Sequence, residues 1–240
     1  MQRYISKELF HFAGRGKSIQ EQYDILKIIF NEKKLGRGEK DRIKISSDYS
    51  KSISSNNVYV SDMVCFCDIP LSDLKIHMNK YSSFGLSFSK TYLLTKGASP
   101  VWYISKNSIV DYIFPIQNAE YHDPSFKIFA ELKKDFEYAK GEDMLTYNSR
   151  LLNEPKLALN KAFNHYLDYS VFPFFKFFDA EKDDSDDENY YMEREWRLMG
   201  CLDFGDLSNI HRVVLPSSYA KQFREDFPEY FGQITFVENN

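Results

Sequence analysis

Glu193-Arg194-Glu195-Trp196-Arg197 is the segment of this sequence best suited to chemistry. Read as a strand, its alternation puts Glu193, Glu195 and Arg197 on one face and Met192, Trp196 and Leu198 on the other. Burying the apolar face leaves two carboxylates and a guanidinium projecting from an element held rigid from behind. Two carboxylates at i and i+2 suit cleavage of a glycosidic bond. An ionised carboxylate stabilises an oxocarbenium-like centre and accepts a hydrogen bond from the ribose 2-hydroxyl. The nicotinamide–ribose bond of NAD is such a bond, and its leaving group is already cationic, so departure needs no general acid. The same residues also fit a salt-bridged row on a solvent-facing strand.

His11 is the second candidate, on a short strand among phenylalanines and just before Gly14-Arg15-Gly16. A side-chain N–H at a strand end can hold a ribose hydroxyl or an amide, although a histidine in that setting also fits a satisfied core position. Tyr81 to Lys90 (YSSFGLSFSK) is the third. Alternation places Phe84, Leu86 and Phe88 on one face and Ser87 and Ser89 on the other. Aromatics beside a wet face can stack on a flat ring such as nicotinamide, and Lys90 can meet a phosphate. An ordinary strand ending in a solvated lysine is the competing reading.

The elements that must position these residues follow from periodicity and caps. Glu8–Phe12 reads as a strand with Leu9 and His11 on one face and Phe10 and Phe12 on the other. Ser18 and Glu21 form a capping box for a helix whose apolar stripe is Ile19, Tyr23, Leu26, Ile29 and Phe30, ending at a Gly36 C-cap. Residues 36–57 are rich in Gly, Lys and Ser and read as a mobile surface loop. Residues 58–67 read as a strand, and Ser72 as the cap of a helix through Tyr81 with Leu74 and Met78 on one side. Strands are predicted over 84–88, 100–104 and 109–115, and helices over 124–140 and 155–169. Asp179 to Glu188 holds seven acids against one lysine. A run of that kind repels itself and reads as a disordered acidic loop. A long strand over 190–202, a strand over 211–215, a helix capped by Ser217 and a strand over 233–237 close the chain. Without regular βαβ alternation the fold class is α+β, in a single domain over residues 1–240.

Composition narrows the function classes. A formal charge of −4 with no basic tail excludes duplex nucleic acid held by phosphate contacts alone as the main role, while leaving a local groove open. The first residues lack the apolar core of a signal peptide, and the apolar patch 171–178 is broken by Pro173 and Lys176 and is too short to span a bilayer. Three cysteines without a secretion signal read as reduced cytoplasmic thiols, and Cys65-x-Cys67 as packing. No dinucleotide fingerprint, Walker A loop, His-Glu-x-x-His helix or Gly-x-Ser-x-Gly elbow is present. No metal site is expected.

Taken in order, ELFHFA, CFCDIPLSDLKIHMNKYSSFGLSFSK with a later SPVWYI, and EREWR resemble the abortive-infection AbiGi-type proteins. More distantly they resemble the ADP-ribosyltransferase toxins of phage-defence toxin–antitoxin systems that modify nucleic acid. The resemblance implies split antiparallel sheets with NAD in the cleft between them. It implies transfer of ADP-ribose from NAD to a macromolecule, RNA or DNA, with a cognate antitoxin as partner. Carried over by motif, Glu195 is the catalytic acid and Glu193 its helper, and His11, Phe12, Tyr81, Ser87, Phe88 and Lys90 contact NAD. Ala13 stands where many relatives carry threonine, which removes one hydrogen bond to NAD. Members of the family are also named as antitoxins, so a non-catalytic antitoxin or regulatory partner of the same fold is the alternative. A metal-dependent nuclease using the acids of 179–195 is a third reading.

Overall fold

The computed structural model describes residues 6–36, 38, 42–47, 56, 59–105, 165–183, 186 and 190–238. The predicted strand 109–115, the helix 124–140 and most of the helix 155–169 lie outside them. In chain order the described elements begin β1 (Glu8–Phe12), α1 (Ile19–Glu32), β2 (Lys34–Leu35), β3 (Ile45–Ser47), β4 (Tyr59–Ser61) and β5 (Met63–Cys67). Next come α2 (Leu74–Lys80), β6 (Gly85–Ser89), α3 (Lys90–Thr95), β7 (Ser99–Pro100), β8 (Trp102–Ser105) and β9 (Phe175–Phe178). The last are β10 (Glu195–Met199), β11 (Leu202–Asp203), β12 (Arg212–Pro216), α4 (Ala220–Asp226) and β13 (Gln233–Val237). The class is mixed α+β.

Two compact units divide the chain. The first takes Met1–Lys44, Asp62–Val101 and Tyr190–Asn240. It holds a seven-stranded sheet in the order β13-β12-β6-β1-β5-β10-β7, in which only β12 and β13 run parallel. One face is apolar. Leu9, Phe66, Leu86, Phe88, Leu198 and Val213 meet Tyr23, Leu26 and Phe30 of α1 and Phe223 of α4 in one core. The opposite face carries a smaller cluster in which Phe10, Cys67 and Val214 meet Leu74 and Met78 of α2. The second unit takes Ile45–Ser61 and Trp102–Asn189. Its described residues include the antiparallel pair β3–β4 and the parallel pair β8–β9. Tyr59 stacks on Phe172 there, and Asn56 bridges the backbone of Phe177.

Local chemistry explains most boundaries. Ser18 and Glu21 close the capping box of α1 reciprocally, satisfying two of its free N-terminal donors. The helix stops earlier than the Gly36 cap predicts, because Lys33 itself takes the left-handed conformation at φ 53°. Single-turn 3-10 segments after Pro70 and Pro216 begin the elements expected to start on Ser72 and Ser217 side chains. The strand expected over 58–67 breaks at Asp62 into β4 and β5, and β3 lies within the span 36–57 that composition assigns to a loop. In the acidic run, Lys182 pairs with Asp186 at 3.7 Å.

The most consequential departure lies at residues 190–194. The long strand expected from Tyr190 begins only at Glu195. Tyr190–Glu193 curl into a 3-10 turn, and Arg194 sits at φ 42°, a left-handed conformation rare for a residue with a side chain. Strand alternation therefore does not govern Glu193. It does govern Glu195 and Arg197, which share a face, while Trp196 and Leu198 pack on the apolar core.

Candidate functional site

Glu195 and Arg197 are both buried, and they satisfy one another. Arg197 Nε donates to Glu195 Oε1 at 2.7 Å and Nη2 to Oε2 at 3.2 Å, a bidentate pair two residues apart on one strand. Register sets them beside Cys67 and Cys65 of β5. Glu193 is buried as well, and turns towards the C-terminal end of α2. Lys80 Nζ lies 2.8 Å from its Oε1, and the Tyr81 hydroxyl donates to the same oxygen. Burial first, and then the Glu193 charge, push the Tyr81 phenol well above its ordinary range, so it remains a donor. The Cys67 thiol is likewise raised, by burial and then by Glu193. It is an inert packing thiol rather than a nucleophile. Arg15 and Lys80 both lie over the Tyr81 ring, at 5.2 and 5.5 Å.

Two further acids repeat the pattern. Asp68, at the end of β5, accepts from Lys90 Nζ at 2.7 Å, and that ammonium sits 5.5 Å from the Trp196 ring centre. Glu8 is buried at the start of β1, where it takes the Ser87 hydroxyl and the Arg212 guanidinium, the latter at 3.2 Å. Four carboxylates are thus matched by four cations: Glu8 by Arg212, Asp68 by Lys90, Glu193 by Lys80 and Glu195 by Arg197. None projects as an isolated negative charge towards a developing cation.

The remaining sequence candidates are dispersed. His11 lies half-buried on the α1 side of the sheet, edge-on to Phe66, whereas Glu195 and Phe12 belong to the α2 side. Its Nδ1–H donates to the Cys65 carbonyl at 2.8 Å, which fixes the neutral tautomer, and burial lowers its pKa. Phe12 lies against Gly85, where a Cβ would come within 2.8 Å of the ring. Phe88 is fully enclosed between Phe66, Tyr92 and Phe204. That is a packing position within the larger core. Ser87 is fully buried with its hydroxyl engaged by Glu8. Lys90 is held by Asp68. Of the expected set, Glu193 and Tyr81 come into direct contact, Glu195 pairs with Arg197, and His11 and Glu195 lie on opposite faces.

Lys80, Asp68, Glu8 and Arg212 complete the network and were not singled out by sequence. Glu8 carried a readable signal, since an acid in phase with Phe10 and Phe12 on an inward-facing strand needs a partner. His77 of α2 is also buried, stacked on Tyr81, and among the described residues neither ring nitrogen has a hydrogen-bond partner. A cleft lined by Lys33, Asp206, Ser208, Glu229 and Phe231 shares no residue with the carboxylate network. Among the described residues no three His, Cys, Asp or Glu side chains converge to hold a metal ion. No described helix is long and apolar enough to cross a membrane.

A family model matches residues 43–226 of this chain; the family is named for abortive phage resistance, AbiGi, and described as an antitoxin. No curated protein and no solved structure matches.

Proposed function

Because the chain belongs to the AbiGi family of abortive phage resistance proteins, we propose that it is the antitoxin of an abortive-infection pair, a folded partner that binds a toxin and restrains it. One structural observation supports this reading: each buried carboxylate of the network is compensated by its own cation. Such pairs hold a polar sheet face in one arrangement. An oxocarbenium-stabilising acid instead needs its charge directed at the reacting sugar. The test is expression in a host with and without the cognate toxin. The chain alone leaves growth unaffected, the toxin alone arrests it, and co-expression restores it. Glu195→Gln, if folded, retains the rescue. Growth arrest by the chain itself, lost in Glu195→Gln, would overturn the proposal.

ADP-ribosyl transfer from NAD to RNA or DNA is the second reading. It draws on the placement of Glu193 and Glu195 at one end of β10, with the Tyr81 phenol on Glu193. In that reading Glu195 is the catalytic acid, Glu193 its helper, and His11, Phe12, Tyr81, Ser87, Phe88 and Lys90 surround NAD. It requires movement of Arg197 away from Glu195 and a route from His11 to the opposite sheet face. NAD consumption by the purified chain with cellular RNA present is its direct measurement. Glu195→Gln should then slow transfer by about 10²–10³-fold.

A further inference from the structure

The seven-stranded sheet ends differently at its two edges. β7 is two residues long and finishes in Pro100, which blunts that edge. β13 offers five residues, Gln-Ile-Thr-Phe-Val, with no charge and no proline, and only β12 beside it among the described residues. Successive residues of a strand turn their backbone N–H and C=O groups to opposite sides. Gln233 N–H donates to the His211 carbonyl at 3.3 Å. Gln233, Thr235 and Val237 therefore face β12, and Ile234 and Phe236 turn their backbone groups outward. Among the described residues nothing hydrogen-bonds to those outward groups. Unpaired strand edges of this kind are templates for another strand.

Side chains identify which strand fits. Ile234 packs on the larger core and Val237 on the smaller, so Phe236 lies on the face of Ile234, and it is 52% exposed. We propose that β13 pairs antiparallel with β13 of a second copy of this chain about a two-fold axis at Thr235. That register sets Ile234 opposite Phe236 of the second copy, and the reverse. Both are outward-facing positions, so each pair exchanges two hydrogen bonds. The half-exposed Phe236 ring gains an apolar cross-strand neighbour in Ile234. Thr235 meets Thr235 at the axis, and Gln233 meets Val237. Beyond the strand, Glu238 falls opposite Gly232, so no like charges stand directly across the junction. Arg212 donates to the Thr235 hydroxyl at 2.8 Å, which anchors β13 to the sheet on its other side. The contact is isologous and closes as a dimer.

Sedimentation velocity over a concentration series of the full chain tests the proposal. The wild type sediments as a dimer that dissociates on dilution. Phe236→Pro removes an outward N–H while leaving the bonds to β12 in place, and is expected to be monomeric with an unchanged circular dichroism spectrum. Phe236→Ala keeps the N–H and dimerises more weakly than wild type. Thr235→Cys forms an intermolecular disulfide on oxidation, because residues opposed at a non-hydrogen-bonded antiparallel position lie about 4.5 Å apart at Cα. Gln233→Cys does not, and the wild type, with Cys65 exposed, is the control. A wild type that stays monomeric at its highest soluble concentration overturns the proposal. A dimer unaffected by a folded Phe236→Pro overturns it equally, whatever toxin the chain binds.

Discussion

Lys80→Met isolates what the buried network contributes. The Lys80 and Glu193 side chains are only 9% and 8% exposed, and the ammonium and carboxylate stand 2.8 Å apart. With an effective dielectric of about 20, Coulomb's law at that distance gives a gross attraction of about 6 kcal/mol. The desolvation of both ions offsets much of it, so the pair's net contribution is small. Removing only the cation is different, because Glu193 is left buried with Tyr81 as its remaining side-chain donor among the described residues. Breaking one side of a buried pair costs about 3–5 kcal/mol, a large part of a typical total of about 5–15. Urea denaturation followed by Trp196 fluorescence in a Trp102→Phe background reports on the sheet unit alone. A slope of about 3 kcal/mol per molar then moves the midpoint by about 1–2 M. Lys80→Met with Glu193→Gln removes both charges and should recover most of the loss. A Lys80→Met midpoint unchanged within error, or a double variant weaker than the single one, would refute the assignment of this network to structure.

Other perturbations probe separate links. Burial lowers the His77 pKa, so protons bind more weakly to the folded state than to the unfolded one. Stability is therefore retained above the ordinary histidine value of about 6.5 and declines as pH falls through it. His77→Phe, which also removes two unpaired buried nitrogens, should gain about 1–3 kcal/mol at pH 7.5 and more at pH 5.5 in urea titrations. Phe88→Ala should cost about 3–5 kcal/mol by thermal or urea unfolding, as expected of a core ring, with no separate effect on any NAD response. Ser18→Ala should cost about 1 kcal/mol through loss of the α1 cap. For His11→Ala, melting with and without NAD decides between the readings. The antitoxin reading expects no NAD shift in either form, whereas a wild-type shift that shrinks in the variant supports the transferase.

The elements legible in sequence are those whose signal is local. β1 and β13 fall on the residues predicted, and the α1 stripe is buried at Tyr23, Leu26, Ile29 and Phe30, whereas its first member, Ile19, is exposed. The alternation of β1 and β6 also reads correctly, with Leu9 and Phe88 on the core side and Ser87 opposite. The site was less legible because its geometry depends on distant partners and one backbone turn. Glu193 meets residues 113 and 112 positions away in Lys80 and Tyr81. Arg194 at φ 42° carries no sequence mark, since glycine or asparagine would be the usual resident. Without that turn, strand parity assigns Glu193 and Glu195 one shared role. With it, each has a separate cation.

Chain order in the sheet governs when this protein exists at all during synthesis. β10, β12 and β13 supply three of the seven strands and are translated after residue 194. Until they emerge, β5 lacks its β10 neighbour and β6 lacks β12, so the nascent sheet has exposed edges and an incomplete core. The pairing of β5 with β10 closes across more than 120 residues of intervening chain, a contact order that favours slow, post-translational folding. A ribosome that stalls just before β10 leaves the sheet without three of its seven strands. The amount of folded sheet then follows completed chains, since no shorter chain supplies all seven strands.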